Sequence, residues 1–244
     1  MDLEGNVALI TGGGTGIGRG VAEYWVAHGG RVVVCGRREA PLQEVCEALG
    51  DAASHVCMDL ARRGDAERTA EVVRERHGRL DTLVNNGGTF LLSPLVDSSD
   101  DAIEQVFRVN VIGLLALTRA CVPLLIQSKG AVVNLSSVVA QGVLPGSIAY
   151  AGSKAAVEQI TRCLAAELGP QGVRVNCVAP GLTATEMSTA LRADPASVDQ
   201  VIQDTPLGRI ADPADVAPSV AYLASKEAAW VTGQILQASG GLLL

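Results

Sequence analysis

Short apolar runs alternate with longer amphipathic stretches along the whole chain. The short runs have the length of strands, and the longer ones have the apolar spacing of helices. Seven strands are predicted at residues 7–11, 31–35, 53–58, 82–85, 131–136, 174–178 and 234–238. Six helices are predicted at residues 16–28, 41–49, 65–77, 100–128, 149–168 and 212–224.

This alternation predicts a parallel sheet with helices on both faces, because parallel neighbours need crossover connections. The chain of 244 residues is large for one core but usual for an α/β sheet protein, and no linker divides it. We therefore predict a single doubly wound, Rossmann-type α/β domain over residues 1–244. Its cofactor half spans about residues 1–145, and its substrate and catalytic half spans about residues 146–244.

A glycine-rich turn separates the first predicted strand from the first helix. A helix N-terminus offers N–H groups and a positive dipole end, and glycines let a pyrophosphate approach the backbone. The spacing is Gly-x-x-x-Gly-x-Gly, not the commoner Gly-x-Gly-x-x-Gly. By itself this turn is also compatible with a flexible loop. The predicted cofactor-binding residues here are Gly12, Gly14, Thr15, Gly16, Ile17 and Gly18.

Tyr150 and Lys154 are four residues apart, so on a helix they share one face about one turn apart. Tyrosine titrates near ~10, and a neighbouring cation favours the phenolate. We therefore expect the pair to exchange a proton with a substrate hydroxyl at ordinary pH.

Together with four further motifs, these residues resemble the short-chain dehydrogenase/reductase family, and the resemblance runs along the whole chain. The matching segments are residues 11–18, 85–88, 110–113, 137, 150 with 154, and 180–185. Gly87 departs from the family pattern, which usually has Ala there. We expect this change to loosen the strand end slightly and to leave the chemistry unaltered.

The resemblance implies a role for each catalytic position. Tyr150 is the general acid that protonates a carbonyl oxygen, or the base in the reverse direction. Lys154 lowers the pKa of Tyr150 and binds the nicotinamide ribose. Ser137 hydrogen-bonds the carbonyl oxygen, and Asn110 holds a water that links Lys154 to solvent.

The same resemblance implies further cofactor contacts. The residues after the third strand hold the adenine, and those after the sixth strand frame the nicotinamide. The implied cofactor contacts beyond the glycine turn are Asp59, Leu60, Asn86, Gly87, Tyr150, Lys154, Pro180, Gly181 and Thr185.

The second strand ends in Gly36-Arg37-Arg38 without an acidic residue. A carboxylate at this place binds the ribose 2′-hydroxyl of NAD, whereas an arginine accommodates the 2′-phosphate of NADP. We therefore predict NADP(H) in preference to NAD(H), with Arg37 and Arg38 in the cofactor site. The alternative is that both arginines are solvated loop residues.

Charge and cysteine usage exclude several other classes. The net charge is −7 without a basic stripe, so no nucleic-acid partner is predicted. The six cysteines show no Cys-x-x-Cys spacing and the histidines are scattered, so neither a metal site nor a redox pair is predicted. The acidic N-terminus leads straight into a strand, and the most apolar stretch, 109–117, is too short to span a bilayer. We predict a cytoplasmic protein without a membrane partner.

The overall pattern is similar to β-ketoacyl carrier-protein reductases, which usually carry basic residues where an acidic carrier docks. This chain has Ser128-Lys129 and Gln171 at those places. We therefore favour a small-molecule ketone, reduced to a secondary alcohol or formed from one, with Val143 and Leu144 as substrate contacts. The alternative is a β-ketoacyl-carrier-protein reductase of fatty acid or polyketide synthesis.

Two other classes stay open. A non-catalytic cofactor-binding regulator has little reason to keep all four catalytic residues. Sugar-nucleotide epimerases and dehydratases share Tyr-x-x-x-Lys but usually carry an extra substrate domain, for which the residues after Pro180 are too few. The apolar end at residues 242–244 predicts a homotetramer, with a dimer as the alternative, because a monomer would expose it.

Overall fold

The computed structural model describes residues 3–243, and these residues form a seven-stranded parallel sheet in the order β3-β2-β1-β4-β5-β6-β7. The sheet and its covering helices confirm the predicted fold class. The strands are β1 (Val7–Thr11), β2 (Arg31–Gly36), β3 (Ala53–Cys57), β4 (Thr82–Asn85), β5 (Ala131–Leu135), β6 (Arg174–Pro180) and β7 (Ile235–Ala238).

Helices connect the strands and cover the sheet. They are α1 (Gly16–Ala27), α2 (Glu39–Leu49), α3 (Asp65–His77), α4 (Asp100–Phe107), α5 (Leu114–Ser128), α6 (Ile148–Leu168), α7 (Pro195–Asp204) and α8 (Pro213–Ala224). Short 3₁₀ turns occur between several of these elements.

The structure corrects two sequence-based expectations about helices. The single helix predicted over residues 100–128 is divided, because Arg108–Gly113 is π-helical between α4 and α5. Helix α7 was not predicted at all. It begins at the capping carboxylate of Asp194, followed by Pro195, and Val198, Val201 and Ile202 have the apolar spacing of a helix although none of its residues is buried. The sequence therefore held a signal for this helix that was overlooked.

Two apolar layers lie on opposite faces of the sheet. Along β1, Ala8 and Ile10 face the layer that contains α1, α2 and α8, whereas Leu9 faces the layer that contains α3, α5 and α6. Strands buried on both faces read as nearly continuous apolar runs, which is why they were recognisable in the sequence.

The strand order reverses between β1 and β4, which pair with each other although β2 and β3 lie between them in the chain. Connections leave the carboxyl ends of these two strands in opposite directions and open a crevice there, where ligands of such sheets bind. The predicted division near residue 145 falls between β5 and β6, and strands from both predicted halves join the one sheet.

One helical segment among the described residues, Asp100–Ser128, is long and apolar enough to cross a membrane, by length and composition only. It is longer than the 109–117 run on which the sequence-based exclusion rested. Its buried members, including Leu117, Cys121 and Leu125, pack in the layer against the sheet, as those of a core helix do. The absence of a membrane partner stays a prediction.

Candidate active site

The glycine turn after β1 forms a cradle that side chains would fill. Gly12 and Gly16 have φ of +65° and +52°, a backbone conformation that favours glycine. A methyl group on Gly18 would lie 2.3 Å from the carbonyl oxygen of Gly12. The N-cap residue Thr15 makes no side-chain capping bond to the first turn of α1. Open N–H groups beside bare backbone fit the pyrophosphate of a dinucleotide.

The end of β4 is fastened to this cradle. The side-chain amide of Asn86 donates to the carbonyl oxygens of Thr11 at 2.8 Å and Gly12 at 3.4 Å. The backbone N–H of Gly87 donates to Thr11 Oγ1 at 2.7 Å. Asn86 and Gly87 therefore fix the width of the crevice between β1 and β4.

A methyl group on Gly87 would lie 2.9 Å from Leu60 Cδ1, so the Leu60 side chain would have to shift to admit an alanine. The side chain of Leu60 thus occupies the space that an alanine would use. Nearby, Asp59 Oδ1 accepts a hydrogen bond from the N–H of Ala61 at 2.9 Å, which shapes the turn after β3. The adenine contact of Asp59 and Leu60 stays a prediction.

The loop after β6 reaches back to the glycine turn. A methyl group on Gly16 would lie 2.9 Å from Thr185 Cγ2, so these residues are close neighbours. Gly181 packs against Ser239, to whose Cα a methyl group would come within 3.0 Å. Pro180 ends the buried strand. The loop from Pro180 to Thr185 therefore lies beside the glycine turn, and its contact with nicotinamide stays a prediction.

Arg37 and Arg38 are both exposed and directly follow the carboxyl end of β2. Arg38 Nη2 donates to Glu186 Oε2 at 2.6 Å, and Glu186 directly follows Thr185. This ion pair joins the loop after β2 to the loop after β6. No sequence feature indicated the pair, because its members are 148 positions apart.

Tyr150 lies half-buried in the first turn of α6, and Phe90 packs edge-on against its ring with the centroids 4.8 Å apart. Burial raises the pKa of the Tyr150 phenol to about 12, and a hydrogen bond with Ser137 partly offsets that rise. Desolvation is the largest effect on this group. The lowering of this pKa by the neighbouring lysine stays a prediction.

Lys154 is buried one turn further along α6. Its Nζ donates to the carbonyl oxygen of Leu135 at 2.7 Å and lies 5.7 Å from the centre of the Tyr150 ring. Burial lowers the pKa of the Lys154 ammonium to about 8, and Cys177 partly offsets this shift. The lysine and the tyrosine are thus brought together on one helix face, as their spacing predicted.

Asn110 lies in the π-helical segment, which places its side chain against the chain after β4. Its amide Nδ2 donates to the carbonyl of Thr89 at 2.9 Å and to Ser153 Oγ at 3.0 Å, while its Oδ1 accepts from the N–H of Thr89 at 2.8 Å. A methyl group on Gly88 would lie 3.1 Å from Asn110 Oδ1 and 3.7 Å from Lys154 Nζ. The predicted water could use only the remaining lone pair of this oxygen, and it stays a prediction.

The predicted substrate contacts are less closely placed. Val143 is 83% exposed and Leu144 is half-buried in the loop after β5. Phe90, which sequence reasoning missed, contacts the Tyr150 ring directly. Other exposed apolar side chains in the segments that follow β4, β5 and β6 include Leu92, Leu95, Val96, Ile148 at the start of α6, Met187, and Leu207 after α7.

Comparison with known proteins agrees with this geometry. A family model described as enoyl-(acyl carrier protein) reductase matches residues 12–243. The 3-oxoacyl-[acyl-carrier-protein] reductase FabG of Vibrio harveyi is 33% identical over 245 residues, which is 100% of both chains. A galactitol 2-dehydrogenase (L-tagatose-forming) of Cereibacter sphaeroides is 36% identical over 243 residues, covering 98% of this chain and 95% of the relative.

A solved structure with the same architecture is the 3-ketoacyl-(acyl-carrier-protein) reductase from Brucella melitensis complexed with NADH. Its TM-score is 0.93 at 30% identity, with 100% of both chains covered. The protein therefore belongs to the matched family, within the short-chain dehydrogenases/reductases. It is an oxidoreductase that acts on CH–OH and C=O groups with a nicotinamide cofactor.

Proposed function

We propose that this protein reduces a small, apolar ketone to a secondary alcohol and prefers NADPH as its cofactor. The observation that carries the proposal is the half-buried phenol of Tyr150, which lies beside Ser137 and one helical turn from Lys154. A general acid must hold its proton until the transition state, and a phenol does so at neutral pH.

Ser137, Tyr150 and Lys154 have different roles in proton transfer to the carbonyl oxygen of the substrate. Bound reduced nicotinamide supplies a hydride to the carbonyl carbon. Ser137 donates a hydrogen bond to the carbonyl oxygen and orients it, and Tyr150 transfers its proton to that oxygen as negative charge develops there. Lys154, anchored at Leu135, holds a positive charge beside the phenol, and that charge stabilises the phenolate left behind.

The test is a panel of ketones and secondary alcohols assayed with NADPH, NADH and their oxidised forms. Tyr150→Phe removes one hydroxyl and should lower ketone reduction by about 10²–10⁴-fold, while folding and cofactor binding persist. Tyr222→Phe, on α8, is the matched control and should leave turnover unchanged. Near-normal turnover by Tyr150→Phe would overturn the assignment of the acid, and the absence of turnover on every substrate would favour the regulator.

The cofactor preference rests on Arg37 and on the absence of an acid at the end of β2. One charge-assisted contact to the 2′-phosphate is worth about 1.5–3 kcal/mol, so Arg37→Ala should raise the NADPH KM by about one to two powers of ten. Gly36→Asp should favour NADH. The site has room for this side chain, since the nearest atom to an added methyl group is Leu42 Cδ2 at 3.7 Å. A wild type that prefers NADH would contradict the proposal.

The carrier-protein reductase remains the second candidate, because the Vibrio harveyi and Brucella melitensis relatives are named as such. Lys129 lies beside Gly172, where an added methyl group would meet Lys129 Cγ at 3.3 Å, and the adjacent Gln171 is exposed. A single cation at this place, on a chain of net charge −7, is weak support for an acidic partner. Comparing a β-ketoacyl thioester on a carrier with the same free thioester decides between the two.

We also propose a homotetramer. Strand β7 is an edge strand whose four residues are only half-buried, and Trp230 nearby is fully exposed. The C-terminal argument is weaker than expected, because Leu242 is buried within the single chain and Leu243 is 45% exposed. Leu244 lies outside the described residues. Sedimentation at micromolar concentration tests the assembly, and the cytoplasmic location stays a prediction.

A further inference from the structure

A buried carboxylate continues the catalytic face of α6. Tyr150, Lys154 and Glu158 follow one another at intervals of four residues, so they form one stripe along the helix. Glu158 is 4% exposed. Burying a charged carboxylate costs free energy unless hydrogen-bond partners compensate for the lost water. A protein with an apolar residue of similar volume at such a position is often at least as stable, so a buried carboxylate points to a role other than stability.

Both oxygens of Glu158 accept hydrogen bonds from one loop. Its Oε1 accepts from Ser136 Oγ at 3.1 Å, and its Oε2 accepts from Gln141 Nε2 at 2.9 Å. Between these two donors lie Ser137 and the 3₁₀ turn Val138–Ala140. The carboxylate therefore joins the two ends of the loop that carries Ser137.

Among the described residues, the other hydrogen bonds between this stripe of α6 and the segment are at the segment's start. Lys154 Nζ holds the carbonyl of Leu135, and Ser136 Oγ also lies 3.2 Å from the carbonyl oxygen of Lys154. Only Glu158 of this stripe reaches Gln141, the residue at the far end of the turn. Without Glu158, the contacts that Lys154 and Tyr150 make would hold the loop at its first residues and at Ser137.

We propose that Glu158 is a positioning residue, which fixes the loop from Ser136 to Gln141 so that the Ser137 hydroxyl stays directed at the substrate oxygen and Tyr150. The proposal rests on the proposed function, since it assigns Ser137 to the reacting carbonyl. Misplacing such a donor by about an ångström costs on the order of 10²-fold in rate.

The test compares two substitutions at this position. Glu158→Leu removes both acceptors and fills the space, so it should fold and bind cofactor normally but lower kcat by about 10–100-fold. Glu158→Gln should restore most of that loss, because its carbonyl can accept from Gln141 while its amide donates to the rotatable hydroxyl of Ser136. Glu167→Leu, an exposed site on the same helix, is the matched control and should leave kcat unchanged.

A double-mutant cycle separates positioning from a general structural role. Ser137→Ala should cost little in the Glu158→Leu background, because both changes act through one hydroxyl. Fully additive losses, or a full-activity Glu158→Leu, would overturn the inference. If Glu158→Leu does not fold, Gln141→Ala removes the far contact from an exposed position, and unchanged kcat in that variant would overturn the inference too. A Ser137→Ala single variant with normal activity would instead contradict the proposed function.

Discussion

The ion pair between Arg38 and Glu186 joins the loops after β2 and β6. We expect it to make cofactor preference sensitive to a residue outside the glycine turn. When a 2′-phosphate is bound by Arg38, the phosphate must compete with the Glu186 carboxylate for the same guanidinium. The carboxylate also repels the phosphate. We therefore expect Glu186→Gln to tighten NADPH binding and to leave NADH binding unchanged.

The geometry sets the size of this effect. Arg38 Nη2 and Glu186 Oε2 are 2.6 Å apart, but the two side chains are 62% and 63% exposed. Exposed pairs contribute about 0.2–1 kcal/mol, which corresponds to a decrease of about 1.4- to 5-fold in the NADPH Kd. Because salt screens exposed charges, the effect should shrink as ionic strength rises.

Equilibrium titration of wild type and Glu186→Gln with each cofactor, at low and high salt, measures the change. Glu71→Gln removes another exposed ion pair, with Arg74 on α3, and is the control for loss of a surface carboxylate. Weaker NADPH binding by Glu186→Gln, or an equal change for NADH, would refute the reasoning. Either result would mean that Glu186 positions its loop and does not compete with the phosphate.

Two further predictions concern stability. Arg174 donates hydrogen bonds to the last carbonyls of α8, including those of Leu223 at 2.6 Å and Ala224 at 2.9 Å. Arg174→Met should therefore lower the free energy of unfolding, measured in urea, by about 2–4 kcal/mol. A loss below about 1 kcal/mol would contradict this prediction. Burial raises the pKa of the Cys121 thiol to about 12. Above about pH 9 the thiol therefore loses its proton in the unfolded chain but keeps it in the folded chain. The contribution of this thiol to the free energy of unfolding should then fall by about 1.4 kcal/mol per pH unit. Cys121→Ala should reduce that slope, whereas Cys163→Ala at an exposed site should not.

The sheet could be predicted because its strands are apolar on both faces and are separated by turns with glycine. The local hydrophobic pattern of the sequence is less informative where tertiary contacts determine the backbone geometry. Around Asn110 the helix becomes π-helical, and the Asn110 side chain there bonds to Thr89, 21 positions away. Nothing in a helical periodicity distinguishes that segment from the α-helices on either side of it.

The candidate site likewise contains residues that local sequence could predict and residues that it could not. Tyr150 and Lys154 were predictable because one helix fixes their relation, and the same spacing extends to Glu158, which the sequence analysis overlooked. The Arg38 pair with Glu186 and the ring contact of Phe90 depend on how loops meet after folding. Their residue types are ordinary for exposed or apolar positions, so no local signal could have identified them.

Burial acts on the two titratable groups of α6 in opposite directions and from one cause. It raises the pKa of the Tyr150 phenol to about 12 and lowers that of the Lys154 ammonium to about 8, because in both cases the uncharged form is favoured away from water. At pH 7 the phenol is therefore protonated, and the ammonium is still mostly charged. This is the combination that proton donation to a carbonyl oxygen requires: a proton to give, and a cation beside the phenolate that remains. The reverse reaction must begin from the phenolate, which burial disfavours, so we expect alcohol oxidation to need a higher pH than ketone reduction.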